Sequence, residues 1–395
     1  MDVCCAERRK VPVPAATGTR RAWLAAAVAL PWVAPRIARA EPGVGASELL
    51  IGQSITLQGG QNAYGTSVLA GMALALEAAN ASGGVNGRRL VLRTLDDQNS
   101  TATATANARQ LVDQGAFLLF GPIEGGPSTV VAEVAAERSV PLFGPLAGSP
   151  GLRRPQQPMV FPVRAEHRDE FRALLDWGQR TGLRSVAFVH SDSPVGQAHL
   201  ANVKLLCTEL QMRFVHALPL PGNATDAALA PLVATLAAQP VDMAFNHGSA
   251  GVYQRLITKA RGAGSRCNFM GINSGSSQLA AALGPAARGM VFTQVVPSPW
   301  ERKREITREY QDAARRADPQ AAFGYGHLEG YVTAKALLLA LRAAGRDLTR
   351  AAFVRTLHGL NADLGGMKIR YAAGDHEGSR FVDLSIVTED GRFVH

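Results

Sequence analysis

Cysteine is scarce in this chain. Of its four cysteines, Cys4 and Cys5 fall in the first forty residues, which leaves Cys207 and Cys267 for the folded part. There is no Cys-x-x-Cys pair, and His190, His199, His216, His247 and His327 share no metal-ligand spacing, so neither a metal nor a cofactor is expected. An oxidising compartment would permit a disulfide, but Cys207 reads as mid-helix and Cys267 as the start of a strand. Two buried thiols are expected. Also missing is a long uncharged apolar run after the first forty residues, where a membrane span needs ~20 residues. The one basic run, Glu301-Arg302-Lys303-Arg304, mixes signs, so no nucleic-acid footprint is expected.

Catalytic motifs are absent as well. Gly271-Ile272-Asn273-Ser274-Gly275 lacks both the dinucleotide fingerprint and a phosphate-loop lysine, and Gly275-Ser276-Ser277 is no nucleophile elbow. Asp96 and Asp97 are adjacent at a strand end, so their side chains point apart and suit a turn better than a pair of acids. No enzymatic activity is expected.

What is present begins with an export leader. Arg8, Arg9, Lys10, Arg20 and Arg21 precede the apolar stretch Ala22 to Val33, and Ala38-Arg39-Ala40 is a small-residue cleavage site, so residues 1–40 read as a signal peptide. Thr19-Arg20-Arg21-Ala22-Trp23-Leu24 resembles a twin-arginine address, with a general secretory signal as the alternative. Both routes lead out of the cytoplasm. The formal charge of +9 falls to +4 without these forty residues, which hold seven basic and two acidic side chains.

From Glu48 onward short apolar runs alternate with longer amphipathic ones, as in strand-helix units around a parallel sheet. The alternation runs from Leu49 to Phe143, pauses in a segment containing Pro150, Pro155, Pro158 and Pro162, and restarts from Asp169 to Val296. Two α/β lobes follow. Lobe one is expected to comprise 48–160 with about 297–345, and lobe two 161–296 with about 346–395, where Ile369–Tyr371 and Phe381–Val387 read as a strand pair. Ligands of parallel sheets sit at the carboxyl ends of strands, so two such edges facing each other form a cleft.

Several segments together resemble one family. They are Asn80-Ala81-Ser82-Gly83-Gly84-Val85-Asn86-Gly87-Arg88, Asp96-Asp97, Phe120-Gly121-Pro122, Val140-Pro141-Leu142-Phe143-Gly144-Pro145, Phe269-Met270-Gly271 and Glu329-Gly330-Tyr331. Over about residues 48–395 the chain resembles the type I periplasmic binding proteins of the branched-chain amino acid (Leu/Ile/Val) group. The resemblance implies two Rossmann-like lobes with parallel sheets joined by a hinge of three crossings. It further implies a monomer in the periplasm that captures a small-molecule ligand and hands it to the membrane permease of an ATP-driven (ABC) importer. A ligand-sensing receptor module of the same fold is the alternative.

In lobe one, the resemblance points to Tyr64 and to two loops as ligand contacts. The first loop carries Gly125, Gly126, Ser128 and Thr129; the second carries Leu146, Ala147, Gly148 and Ser149. In lobe two it points to Ser191, Val195, Ser249, Asn273 and Ser274, while His190 and His247 border the cleft because they follow strands. Four places depart from the family pattern. Gly148 stands where a Thr is common, Val195 and the pair Ser249-Ala250 where aromatics are common, and Asn273 or Ser274 where an acid receives the ligand's ammonium. A buried ammonium needs a charged or strongly accepting partner. The pocket is therefore expected to suit a carboxylate-bearing compound without that anchor better than an ordinary amino acid.

Overall fold

The computed structural model describes residues 11–14 and 41–395. The twin-arginine motif, the cleavage site, Cys4 and Cys5 lie outside the described residues. The first lobe alternates β1 (Glu48–Ile55), α1 (Ala63–Ala81), β2 (Arg89–Asp96), α2 (Thr101–Asp113), β3 (Leu118–Phe120), α3 (Gly125–Glu137), β4 (Leu142–Phe143) and β5 (Val160–Phe161). These strands form a parallel sheet in the order β2-β1-β3-β4-β5. Helices cover both faces, which is why β3 is buried along its length and reads as an unbroken apolar run. The order reverses between β1 and β3, and a crevice opens at the carboxyl ends of strands at such a point. The chain leaves β1 there for Tyr64 at the start of α1, and leaves β3 there for Gly125 at the start of α3.

The second lobe repeats the plan with α4 (His167–Arg180), β6 (Ser185–His190), α5 (Pro194–Glu209), β7 (Arg213–Pro219), α6 (Asp226–Ala238), β8 (Met243–His247), α7 (Ala250–Gly262), β9 (Asn268–Phe269), α8 (Ser276–Leu283) and β10 (Val291–Gln294). Its parallel sheet has the order β7-β6-β8-β9. The reversal between β6 and β8 puts His190, Ser191 and His247 at the matching edge. Cys207 and Cys267 are free and buried in two different apolar clusters, and burial pushes both thiols up to about 12.

The remainder is α9 (Glu305–Ala317), α10 (Tyr325–Ala344), α11 (Arg350–Leu357), β11 (Asn361–Asp363), β12 (Lys368–Ala372), β13 (Asp375–Gly378), β14 (Asp383–Val387) and β15 (Phe393–Val394). Here the structure corrects two expectations. Residues 346–395 do not go to lobe two as a block, because Phe353, Leu357, Ile369 and Tyr371 join the apolar core around β1 and α10. Nor do Ile369–Tyr371 and Phe381–Val387 pair: β12 lies between β11 and β13, whereas β14 pairs antiparallel with β10 and β15. Short apolar strands carry no label of which core they join, and long-range packing decided it. The chain thus crosses between lobes near 162–166, 295–304 and 379–382.

Among the described residues no helix is long and apolar enough to cross a membrane. Helix α10 is apolar on nearly every side because it is buried, and it packs on α1 with backbone close to backbone. A Cβ on Gly330 would stand 2.1 Å from the Val68 carbonyl oxygen, and one on Gly71 1.9 Å from that of His327. Neither neighbour can yield without separating the helices. Gly330→Ala should therefore destabilise the fold by about 2–3 kcal/mol, read as a lower urea midpoint at unchanged slope.

Candidate functional site

At the first crossing the apolar segment Phe161-Pro162-Val163 delivers Arg164 into the interior, where its side chain is 2% exposed. Its guanidinium pairs with Glu170 of α4 and lies 3.5 Å from Oε1 of Glu329 on α10. It also donates to the Leu146 carbonyl at 2.9 Å and to the Ser274 hydroxyl at 3.4 Å. These partners come from both lobes. Burial pulls Arg164 down, but the two carboxylates overcome it and its pKa ends above the ordinary value.

Both acids are fully enclosed. Glu170 accepts from His167 Nδ1 at 2.7 Å, the Asn273 backbone N–H at 3.0 Å and the Thr293 hydroxyl at 2.9 Å. Glu329 Oε2 accepts from the Tyr64 hydroxyl at 2.8 Å and from Asn273 Nδ2 at 2.7 Å, while Oε1 has only the long approach of Arg164. Burial pushes Glu329 up against the pull of Arg164, and burial with Glu329 alongside holds the Tyr64 phenol well above its usual range. Behind this group Arg153 is 6% exposed and donates to the carbonyls of Ala147 and Arg164. Burial lowers it to about 10.

The residues that the sequence singled out are distributed over three places. Tyr64, Leu146, Asn273 and Ser274 surround Arg164 and its acids, as given above. Gly125, Ser149 and Val195 meet across the lobes: a Cβ on Gly125 would lie 3.0 Å from the Ser149 hydroxyl and 3.2 Å from Val195 Cγ1. Ser149 and Ser128 are buried, and neither hydroxyl has a partner among the described residues. The third place is a small recess of the second lobe lined by His190, His247 and Ser249, next to Ser191, whose N–H donates to the His247 carbonyl at 3.2 Å.

Other residues serve their own elements. Thr129 donates back to the Gly125 carbonyl at 2.8 Å, Gly126 faces Thr101, and Ser249 is an exposed N-cap of α7. Asp96 and Asp97 hold turns: Asp96 accepts from the N–H groups of Leu57 and Gly59, and Asp97 from the Thr56 hydroxyl.

Two features escaped sequence reasoning. One is the set Arg164, Glu170 and Glu329, for which a signal exists: a lone charge inside Phe161-Pro162-Val163-Arg164-Ala165 and another inside the apolar α10. The second is His167, whose backbone N–H donates to the Gly148 carbonyl at 3.0 Å and whose Nε2 accepts from the Gly148 N–H at 3.2 Å. A Cβ on Gly148 would lie 2.7 Å from the His167 ring. The ring fills the space that the expected Thr would need, so this departure is compensated locally. The lack of metal-ligand spacing among the histidines also needs correction, because His167, His199 and His247 converge.

Comparison with known proteins gives a consistent result. A family model described as periplasmic binding protein matches residues 48–392. The Leu/Ile/Val-binding protein homolog 2 of Brucella abortus (strain 2308) is 24% identical over 303 residues, covering 74% of this chain and 79% of that protein. A fatty acid ABC transporter substrate-binding protein from Thermomonospora curvata superposes with a TM-score of 0.80 at 20% identity, over 90% of this chain and 92% of that one. A solute-binding protein of an ABC transporter from R. palustris, solved in complex with benzoate, gives 0.76 at 19% identity over 88% and 95%. Such structural likeness shows a shared fold.

Removing Arg164 would leave Glu170 and Glu329 buried beside each other without a cation. Arg164→Met should cost about 3–5 kcal/mol of stability by denaturant titration, and adding Glu170→Gln and Glu329→Gln should recover part of it. A loss under about 1 kcal/mol would mean that solvent reaches the group.

Proposed function

This chain belongs to the periplasmic binding protein family, and we propose that it is the extracytoplasmic solute-binding component of an ABC importer, closing on a small carboxylate-bearing organic molecule. The family consists of binding proteins rather than enzymes, and its members work outside the cytoplasm. The membrane permease of the importer is the implied partner, and no chemistry on the solute is proposed. Export of this chain by the leader in residues 1–40, by the twin-arginine or the general route, belongs to the same proposal, as does a monomeric state.

The observation that carries the ligand class is a pair of buried hydroxyls without partners among the described residues, Ser128 in the first turn of α3 and Ser149 against Gly125. Helix α3 opens with Gly125 and Gly126, and its N-cap residue Glu124 makes no side-chain cap bond. The first N–H groups of such a helix need acceptors and the helix dipole favours an anion there. Two oxygens of one carboxylate would serve both the hydroxyls and the N–H groups. While charged, Glu124 opposes this, but burial raises its pKa, with Asn62 pulling the other way. Val195 approaches the same spot from the second lobe, so lobe closure covers it.

An ammonium group on the solute is not required by this geometry. Asn273 stands at the position of the expected anchor, and its amide is already committed to Glu329. The acid itself is held by Tyr64 and faces Arg164. The names of the relatives are compatible with this reading, since branched-chain amino acids, fatty acids and benzoate share a carboxylate and not an amino group.

The test is a thermal-shift and calorimetry screen of the full chain against benzoate, short fatty acids, leucine, valine and the deaminated analogues of the last two. A solute at 100 times its dissociation constant should stabilise by about 2.7 kcal/mol. Ser149→Ala should weaken binding about tenfold, or 1.4 kcal/mol. Stabilisation by leucine or valine with none from their deaminated analogues would overturn the carboxylate reading. Turnover of a bound solute would overturn the non-enzymatic one.

A further inference from the structure

His199 of α5 has no exposed surface, and neither of its ring nitrogens has a partner among the described residues. A neutral imidazole carries one N–H donor and one lone pair, so both are stranded in the interior. Nδ1 of His247, at the end of β8, is stranded too. The two ring centroids are 3.9 Å apart, and the ring of His167, the first residue of α4, lies 4.6 Å from that of His247 and 5.2 Å from that of His199. Phe171 packs against all three rings. Ring packing alone does not account for the imidazoles, because phenylalanines would pack as well and strand nothing.

One nitrogen from each histidine lies within 4.8 Å of the other two. Zinc–nitrogen bonds of ~2.0–2.1 Å in a tetrahedral site set ligand nitrogens about 3.4 Å apart, so the rings need to close by roughly an ångström. We propose that His167, His199 and His247 form a binding site for one divalent transition-metal ion of the zinc class, held by three imidazoles with a fourth position open. Three neutral nitrogens with no thiolate suit zinc, cobalt, nickel or copper rather than magnesium or calcium.

The surroundings have the features of a metal site. Glu170 holds Nδ1 of His167 at 2.7 Å, which leaves Nε2 as the nitrogen with the lone pair, the carboxylate–histidine arrangement that orients ligands in zinc proteins. The Gly148 N–H reaches that Nε2 only at 3.2 Å, a contact that a metal ion would replace. Enclosure away from water favours the neutral imidazole, the form that binds metal. Arg164 faces the cluster and opposes a cation, while Glu170, which accepts from His167 Nδ1, offsets it. The ion would sit where Gly148 of the first lobe touches the second, on residues other than Ser128 and Ser149. Failure of either proposal leaves the other standing.

The experiment uses the untagged full chain carrying Cys4→Ser and Cys5→Ser, stripped with chelator and titrated with Zn²⁺ by calorimetry. X-ray absorption is then recorded on the zinc form. Expected are about one tightly held ion per chain and a first shell with three imidazoles. A raised unfolding temperature should accompany it. His199→Asn and His247→Asn should each lose the ion, while His216→Asn, whose ring bonds the Gln239 carbonyl away from the cluster, should keep it. Absence of stoichiometric binding, undiminished binding in the His199→Asn/His247→Asn double variant, or fewer than three imidazoles around the zinc would each overturn the proposal. Should the histidine variants fail to fold, the absorption spectrum of the parent chain decides by itself.

Discussion

The closed arrangement of the two lobes depends on one buried guanidinium. Arg164 lies on a crossing and finds acceptors on α4, on α10 and on the loops at Leu146 and Ser274. A buried charge is tolerated only when it is paired and its donors are used, so each partner must arrive in position as the lobes come together. Opening the hinge would separate Glu329, on the first lobe, from Asn273 on the second, and Gly148 from His167. Rigid-body closure about a few crossing residues is the usual motion for a cleft of this kind. In this structure the polar network ties the two lobes together.

The same network shapes what the cleft can hold. Glu170 and Glu329 with Arg164 amount to one excess negative charge in the ionised form, and burial pushes Glu329 toward neutrality. The buried hydroxyls of Ser128 and Ser149 and the N-terminus of α3, on which the proposed ligand class rests, lie apart from it. The two departures at Gly148 and Asn273 are thereby linked: one makes room for the His167 ring, and the other ties its amide to Glu329 and its backbone to Glu170. A polar cavity of about 270 Å³ lies beside the same crossing, and its lining sets Arg153, Arg154, Arg168, Arg172 and Arg380 against Glu166, Asp169 and Glu377, so it is formally basic.

Much of the architecture was legible in residue pattern. Buried parallel strands read as apolar runs and covering helices as amphipathic ones, so the alternation from Glu48 to Val296 reports local burial that each segment carries within itself. Tyr64, Gly125 and Ser149 follow from the resemblance together with the rule that ligands meet the carboxyl ends of strands. Less legible was the distribution of the last fifty residues, since an apolar strand such as Lys368–Ala372 is compatible with either core. Arg164 could have been noticed as a charge inside an apolar segment, although nothing in its neighbourhood points to Glu329 on the distant α10.

The sequence alone determined the class of fold, the two-lobed plan and the absence of a catalytic motif, because these rest on periodicity and on residue types within short windows. Only the tertiary structure decided that Arg164, Glu170, Glu329, Tyr64 and Asn273 share one buried network, and that His167, His199 and His247 converge. Arg164, His167 and Glu170 lie within six residues of one another, but Tyr64, His199, His247, Asn273 and Glu329 come from elements separated by whole strand-helix units, and spacing along the chain carries no signal for groups that meet only when two sheets turn their edges toward each other.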